Sequence, residues 1–359
     1  MSGFLRNIDL GLVVPVFILL LLSLTALFSI NINLFKSQLI FSLLGILAFL
    51  FFSQVNYKAI RFYATPIYIA SIVLLLLVLV LGIESRGSIR WVEIAGFRIQ
   101  FSEILKPFLA ISFSSFLVER KNHSFSTLFL TLFFLSVISG LIFFQPDLGS
   151  ALIYVLVSLL ALIYFGFPLK FFAAGGVLLA ILAPIMWAFL RDYQKDRIIT
   201  FLNPGHDPLG KSYNAIQSII AVGSGEFSGR GLGQGTQSGL SFLPERHTDF
   251  IFATISEQLG FIGSVFIVFC FAFILYRIFK ISVSCEDSFC KIFTIVCFFI
   301  ILVQFFLNIG MNTGILPVVG VTLPFVSYGG SSLLSSFILL GLVSSIVKNT
   351  KEPKVLEIR

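Results

Sequence analysis

The chain is 359 residues long, 57% hydrophobic and only 11% charged, with 44 phenylalanines, a net charge of +7 and a mean hydropathy of +1.03. A water-soluble domain needs roughly a quarter of its residues charged, so a soluble globular fold is excluded. The excess of positive charge does not imply a nucleic-acid partner either, because its placement along the chain has a simpler cause.

Apolar stretches of about 20 residues match a ~30 Å hydrocarbon core at ~1.5 Å rise per helical residue. Such stretches occur at 10–30, 37–55, 64–83, 101–118, 125–144, 148–169, 171–190, 250–276, 292–311 and 327–347. None alternates apolar and polar residues as a barrel strand must. The expected fold is an all-α polytopic membrane protein of about ten transmembrane helices, forming a single membrane domain over 1–359. The run after Arg6 lacks a small-residue cleavage site, so it reads as a retained first span rather than a signal peptide. Cys270, Cys285, Cys290 and Cys297 show no CxxC or CxxH spacing, which points to apolar packing rather than a metal or disulfide framework.

Arg6, Lys58, Arg61, Arg120, Lys121, Lys170, Arg277, Lys280, Lys291, Lys348, Lys351, Lys354 and Arg359 all fall on one side of an alternating topology. The short turns on the other side hold only Lys36. This bias places both termini in the cytoplasm. Two longer polar segments lie outside. The first, E-S-R-G-S-I-R-W-V-E-I-A-G-F-R-I-Q at 84–100, suggests a small hairpin at the membrane surface. The second, 191–248, joins the seventh and eighth spans and is long enough to be functional. Its glycine-rich part, 223–239, reads as a flexible cover and lacks the spacing of a phosphate-binding loop. Before the tenth span, 314–332 is apolar yet broken by Pro317, Pro324 and several glycines. Irregular backbone at bilayer depth must be surrounded by protein or a polar cavity, so a re-entrant segment is expected.

Charges at span boundaries are the informative ones. Glu103 and Lys106, three apart, share a helix face, and Pro107 predicts a local irregularity there. Asp147 in Q-P-D-L-G suits the N-cap of the sixth span. Asp249 opens the eighth span, where a cap role and a helix N-terminus would keep its carboxylate ionised. Glu257, two turns deeper, should face a cavity or a partner. Glu245, Arg246 and His247 crowd beside Asp249; His247 reads as an orienting residue and Tyr328 as an anchor.

L-P-E-R-H-T-D-F-I-F at 243–252, with Q-P-D-L-G before it and G-I-L-P-V-V-G-V-T-L-P-F-V-S-Y-G-G-S-S after it, resembles the shape, elongation, division and sporulation (SEDS) family, the RodA/FtsW-type proteins. The resemblance covers essentially the whole chain. The E-R-H form and the short termini resemble the elongation branch more than the division branch. Q-F-S-E-I-L-K at 100–106 departs from the family's Q-P-S-E-x-x-K by Phe101 alone.

The resemblance implies a peptidoglycan glycosyltransferase of the bacterial inner membrane that polymerises lipid II on the outer face. It implies Asp249 as the required residue, acting as general base or as ligand of a divalent cation (Mg²⁺ or Mn²⁺). Glu103 and Lys106 would line the same central cavity, and Lys106, Arg246, Arg197 and Lys195 would supply charge for the departing undecaprenyl pyrophosphate. Glu245 and His247 join them as substrate-contacting candidates. A class B penicillin-binding protein and other elongation-complex membrane proteins are the implied partners. The competing readings are a lipid II flippase, in which broken helices would form a transport path, and a non-catalytic scaffold.

Overall fold

In the computed structural model, residues 9–85, 88–94, 96–120 and 122–351 are described. Of the basic residues used for orientation, Arg6, Lys121, Lys354 and Arg359 lie outside them. Eight described helices are long and apolar enough to cross a membrane, and two shorter apolar helices, Lys106–Val118 and Leu148–Tyr164, complete the ten spans. Spans one to three are Leu10–Ile30, Ile32–Phe52 and Ala64–Leu81, and span four is Phe101–Ile104 followed by Lys106–Val118. Spans five to seven are Phe125–Phe144, Leu148–Tyr164 and Leu169–Phe189. Spans eight to ten are Ile251–Ser284, Ser288–Asn312 and Gly330–Lys351.

Boundaries moved where a side chain could cap. Span two starts at Ile32 rather than at 37, because Asn31 accepts from the Asn33 amide at 2.8 Å and reverses the chain in one residue. Span four breaks at Leu105, one residue before Lys106 and two before Pro107, as the proline predicts. The segment 83–99 is a three-stranded antiparallel sheet of Ile83–Ser85, Ser88–Ile94 and Phe97–Ile99, one strand more than a hairpin.

Span eight is longer than its apolar run suggested and is broken at Gly260, whose φ of 67° leaves the helical region. A break frees backbone groups that lipid cannot satisfy. Here the glycine-rich stretch satisfies them: Arg230 and Gly231 donate their amides to the Glu257 and Gln258 carbonyls at 2.9 and 3.0 Å. Phe261 in turn donates to the Glu226 carbonyl at 2.9 Å. A side chain at Gly229 would stand 2.2 Å from the Gln258 carbonyl oxygen, so only glycine admits this approach. The stretch is therefore part of the packed scaffold and not the flexible cover expected from its composition. Glu257 completes the joint by accepting from the Gln237 and Ser238 amides, each at 2.8 Å. Its buried charge is matched by loop donors, which is the partner its depth demanded.

The main apolar core draws chiefly on spans one, two, four, six, eight, nine and ten, with Ala64 of span three and Leu128 of span five at its edge; span ten packs along span two, and span nine between spans four, six and eight. Span seven has no buried residue, although Phe171 and Phe172 at its start pack against the core. At one end of the bundle Arg277 bonds Asp9 at 2.5 Å and Arg61 reaches Asp287 at 3.9 Å. The small sheet, the 191–248 segment and the irregular segment before span ten gather at the other.

Candidate active site

At that second end a cavity of about 630 Å³ is lined by the small sheet, the starts of spans four, six and ten, the helix Asp192–Leu202, and the turn before span eight. Val319, Gly320 and Thr322 of the irregular segment close one side. That segment is held by side chains in place of a regular ladder. Ser23 donates to the Val326 carbonyl at 2.6 Å and Gln38 to the Ser327 carbonyl at 3.2 Å. Ser327 bonds the Thr248 carbonyl at 2.7 Å, and Tyr328 donates its amide to the His247 carbonyl at 2.8 Å. The segment and the E-R-H-T-D turn are thereby one unit. Non-helical backbone surrounded by protein and facing a polar cavity is the arrangement expected for 314–332, except that 330–332 already form the start of span ten.

Asp249 sits in the cavity wall. Two asparagines one helical turn apart on span nine hold its backbone. Asn308 and Asn312 each donate a side-chain amide hydrogen to the Asp249 carbonyl, at 3.0 and 2.9 Å. Asn312 also accepts from the Ala253 amide at 3.0 Å, and Asn308 donates to the Val321 carbonyl at 2.7 Å. The backbone is fixed while the carboxylate is left for a ligand: among the described residues it makes no hydrogen bond and caps no amide. A side chain at Gly320 would come within 3.3 Å of its Oδ2, so the glycine keeps the approach open.

The capping expectation for Asp249 is thus corrected, and so is its consequence. Its pKa is pushed up to about 6, first by burial and then by the charge of Glu245, against the pull of Arg90 and Arg197. Desolvation outweighs the helix terminus because the carboxylate is not aimed at the free amides. Glu245 lines the same cavity from a left-handed backbone (φ 51°), a conformation that non-glycine residues seldom hold without a reason.

Across the cavity Asp147 is the N-cap of span six, accepting from the Ser150 amide at 3.1 Å. It also accepts from Gln100 at 2.7 Å and Ser102 at 2.9 Å, and Arg90 approaches it at 3.8 Å. These donors tie the start of span four to that of span six. Glu103 lines the cavity floor and bonds Lys106 at 2.6 Å, while its other oxygen is buried without a partner. Lys106 itself does not line the basin. It projects into a small apolar cavity of about 30 Å³ between spans four, five, six and nine, so its charge reaches the basin through Glu103.

Of the cations expected from the sequence, Arg197 lines the basin and donates to the Val319 carbonyl at 3.1 Å. Lys195, on the same helix, does not line it. Arg246 turns away to Ser241 at 2.6 Å, and His247 does not line the cavity but packs its ring 5.6 Å from that of Tyr328, a residue of the cavity wall. Two basin cations went unnamed at the sequence level: Arg90 and Arg98, from the small sheet. The available signal was that they are basic residues on the outer side, against the charge bias. The basin thus combines three guanidinium groups with the carboxylates of Glu103, Asp147, Glu245 and Asp249. Such a site can hold a phosphorylated group beside a base.

A family model covering FtsW, RodA and SpoVE, described as "Cell cycle protein", matches residues 3–352. Peptidoglycan glycosyltransferase MrdB of Escherichia coli (strain K12) is 38% identical over 312 residues, covering 86% of this chain and 84% of that one. Stage V sporulation protein E of Bacillus subtilis (strain 168) is 34% identical over 321 residues, covering 88% and 87%. Among solved structures, a chain of a peptidoglycan synthase complex that coordinates polymerization and crosslinking superposes with a TM-score of 0.84 at 29% identity, covering 96% of this chain and 99% of that one. The rod shape determining protein RodA of Thermus thermophilus superposes with a TM-score of 0.73 at 26% identity, covering 96% and 98%.

Proposed function

The chain belongs to the FtsW/RodA/SpoVE family of cell cycle proteins, and on that footing we propose that it polymerises lipid II into glycan strands with Asp249 as the general base. It is a peptidoglycan glycosyltransferase, as its relative MrdB is named. The observation that carries the assignment to Asp249 is its geometry: a carboxylate with no hydrogen bond among the described residues, on a backbone clamped by Asn308 and Asn312, facing a basin with Arg90, Arg98 and Arg197.

Asp249 accepts the proton of the acceptor's N-acetylglucosamine 4-hydroxyl as that oxygen attacks the anomeric carbon of the donor's N-acetylmuramic acid. The bond from that carbon to the pyrophosphate oxygen breaks, and the α-linked diphosphate becomes a β-linked glycoside. Undecaprenyl pyrophosphate leaves with the electron pair, its growing charge met by Arg90, Arg98 and Arg197. A pKa near 6 suits a base at neutral pH, since it is ionised yet more basic than an ordinary carboxylate.

Mg²⁺ or Mn²⁺ fits the same corner. No group of three acidic, His or Cys residues among the described residues forms a metal cage by itself. Asp249 and Glu245 would supply the one or two carboxylates that such cations take alongside phosphate oxygens. The cation would neutralise the pyrophosphate.

The bias of basic residues in the turns supports a basin on the extracytoplasmic side with both termini in the cytoplasm. The solved synthase complex supports a class B penicillin-binding protein as partner. The flippase reading loses ground because Glu257, which a transport path could have used, is consumed by the loop amides. The deciding experiment incubates purified protein with lipid II in detergent, where no membrane potential exists. Wild type is expected to form polymer and Asp249→Ala none, with both folded. Polymer from Asp249→Ala would remove the assigned base. Lipid II scrambling in vesicles, with no polymer in detergent, would favour transport.

A further inference from the structure

Behind Arg197 lies a second pocket of about 290 Å³ that the chemistry above does not use. Arg197 lines both this pocket and the basin, so the guanidinium is the partition between them. One wall comes from the helix Asp192–Leu202, through Tyr193, Thr200 and Phe201. Lys211 and Asn214 stand opposite, and Pro317 belongs to the irregular segment.

The charge balance identifies the kind of ligand. Lys211 bonds Asp196 at 2.7 Å, so that cation is already matched. Arg197 is tied to the Val319 carbonyl at 3.1 Å and feels the Asp249 carboxylate on its other side. No uncompensated positive cluster remains for a pyrophosphate, which the basin serves instead. What the pocket does offer is flat apolar surface from Phe201, Pro317 and the Tyr193 ring, alongside the amide of Asn214 and the hydroxyl of Thr200. Flat apolar faces with a few hydrogen-bonding groups suit a neutral, amphipathic, hydroxyl-rich ring. The volume is that of about one such ring.

We infer that this pocket is a saccharide subsite, holding an N-acetylhexosamine of the donor strand one or two sugars away from the bond being made. The inference rests on the glycan-polymerase reading above. Its consequence is retention. A strand gripped beyond Arg197 stays with the enzyme between additions, so the pocket sets strand length and not the chemical step.

The test compares wild type with Asn214→Ala and with Thr200→Val/Asn214→Ala on lipid II in detergent, reading the rate of lipid II consumption and the distribution of strand lengths. Strands several-fold shorter are expected, with consumption within about twofold of wild type. Added peptide-free tetrasaccharide of alternating N-acetylglucosamine and N-acetylmuramic acid should shorten wild-type strands and leave those of the double variant unchanged. Unaltered length, or length and rate falling together, would overturn the subsite, as would shortening by inorganic pyrophosphate in place of the sugar. Thermal melting of each variant separates misfolding from lost grip, and Asn214→Gln, which keeps the amide, should recover part of the length. Failure of wild type to make any polymer would instead strike the glycan-polymerase reading itself.

Discussion

The carboxylate of Asp249 and the ion pair of Glu103 with Lys106 show opposite uses of buried charge. Asp249 makes no hydrogen bond among the described residues, and burial raises its pKa to about 6. A base must be deprotonated to act, so polymerisation should fall as pH drops through about 6, about two units above where an ordinary carboxylate would titrate. A rate profile flat down to pH ~4.5 would contradict that assignment. Glu103 and Lys106, by contrast, neutralise each other's charge at 2.6 Å with almost no exposure. Lys106→Met would strand the Glu103 charge and should cost about 3 kcal/mol or more. Glu103→Gln/Lys106→Met should recover much of that stability, measured by thermal melting, without recovering polymerisation. Recovery of both would reduce the pair to a structural device.

Within elements, breaks carry as much of the site as helices do. The kink at Gly260 lets a short helix lead from Asp249 to the glycine-rich loop, and the loop repairs the broken ladder. A methyl group at Gly260 would meet the Gly229 nitrogen at 2.3 Å, in a backbone conformation that L-residues resist. Gly260→Ala should therefore lower stability by about 2–3 kcal/mol and reduce polymerisation by displacing the turn at Asp249. Gly223→Ala, in an open helical position, is the control and should be neutral or stabilising by up to about 1 kcal/mol. Equal melting temperatures for the two variants would show that the kink is not constrained.

Taken as a whole, the molecule gathers the arginines and carboxylates of the basin at one end of the bundle and the lysine-bearing turns used for orientation at the other. Thiol labelling in intact cells tests which end faces outward. With Cys270, Cys285, Cys290 and Cys297 replaced, Asn203→Cys should react with a membrane-impermeant reagent, and Ser288→Cys should react only after lysis. The reverse pattern would turn the basin toward the cytoplasm.

The ten spans, the re-entrant segment and the candidacy of Asp249 were legible in the chain, because lipid imposes a composition that local stretches must obey. The N-cap role of Asp147 was legible too, since capping is a contact between near neighbours. Which cations meet in the basin was not. Arg90 and Arg98 come from the small sheet and Arg197 from a helix beyond span seven, whereas Arg246, three residues from Asp249, points elsewhere. The raised pKa of Asp249 was equally hidden, because desolvation depends on every element around the carboxylate and helix position only on its own. Local patterns govern what a segment becomes, but the environment of a charge is a sum over neighbours distant in sequence, and only the packed bundle contains that sum.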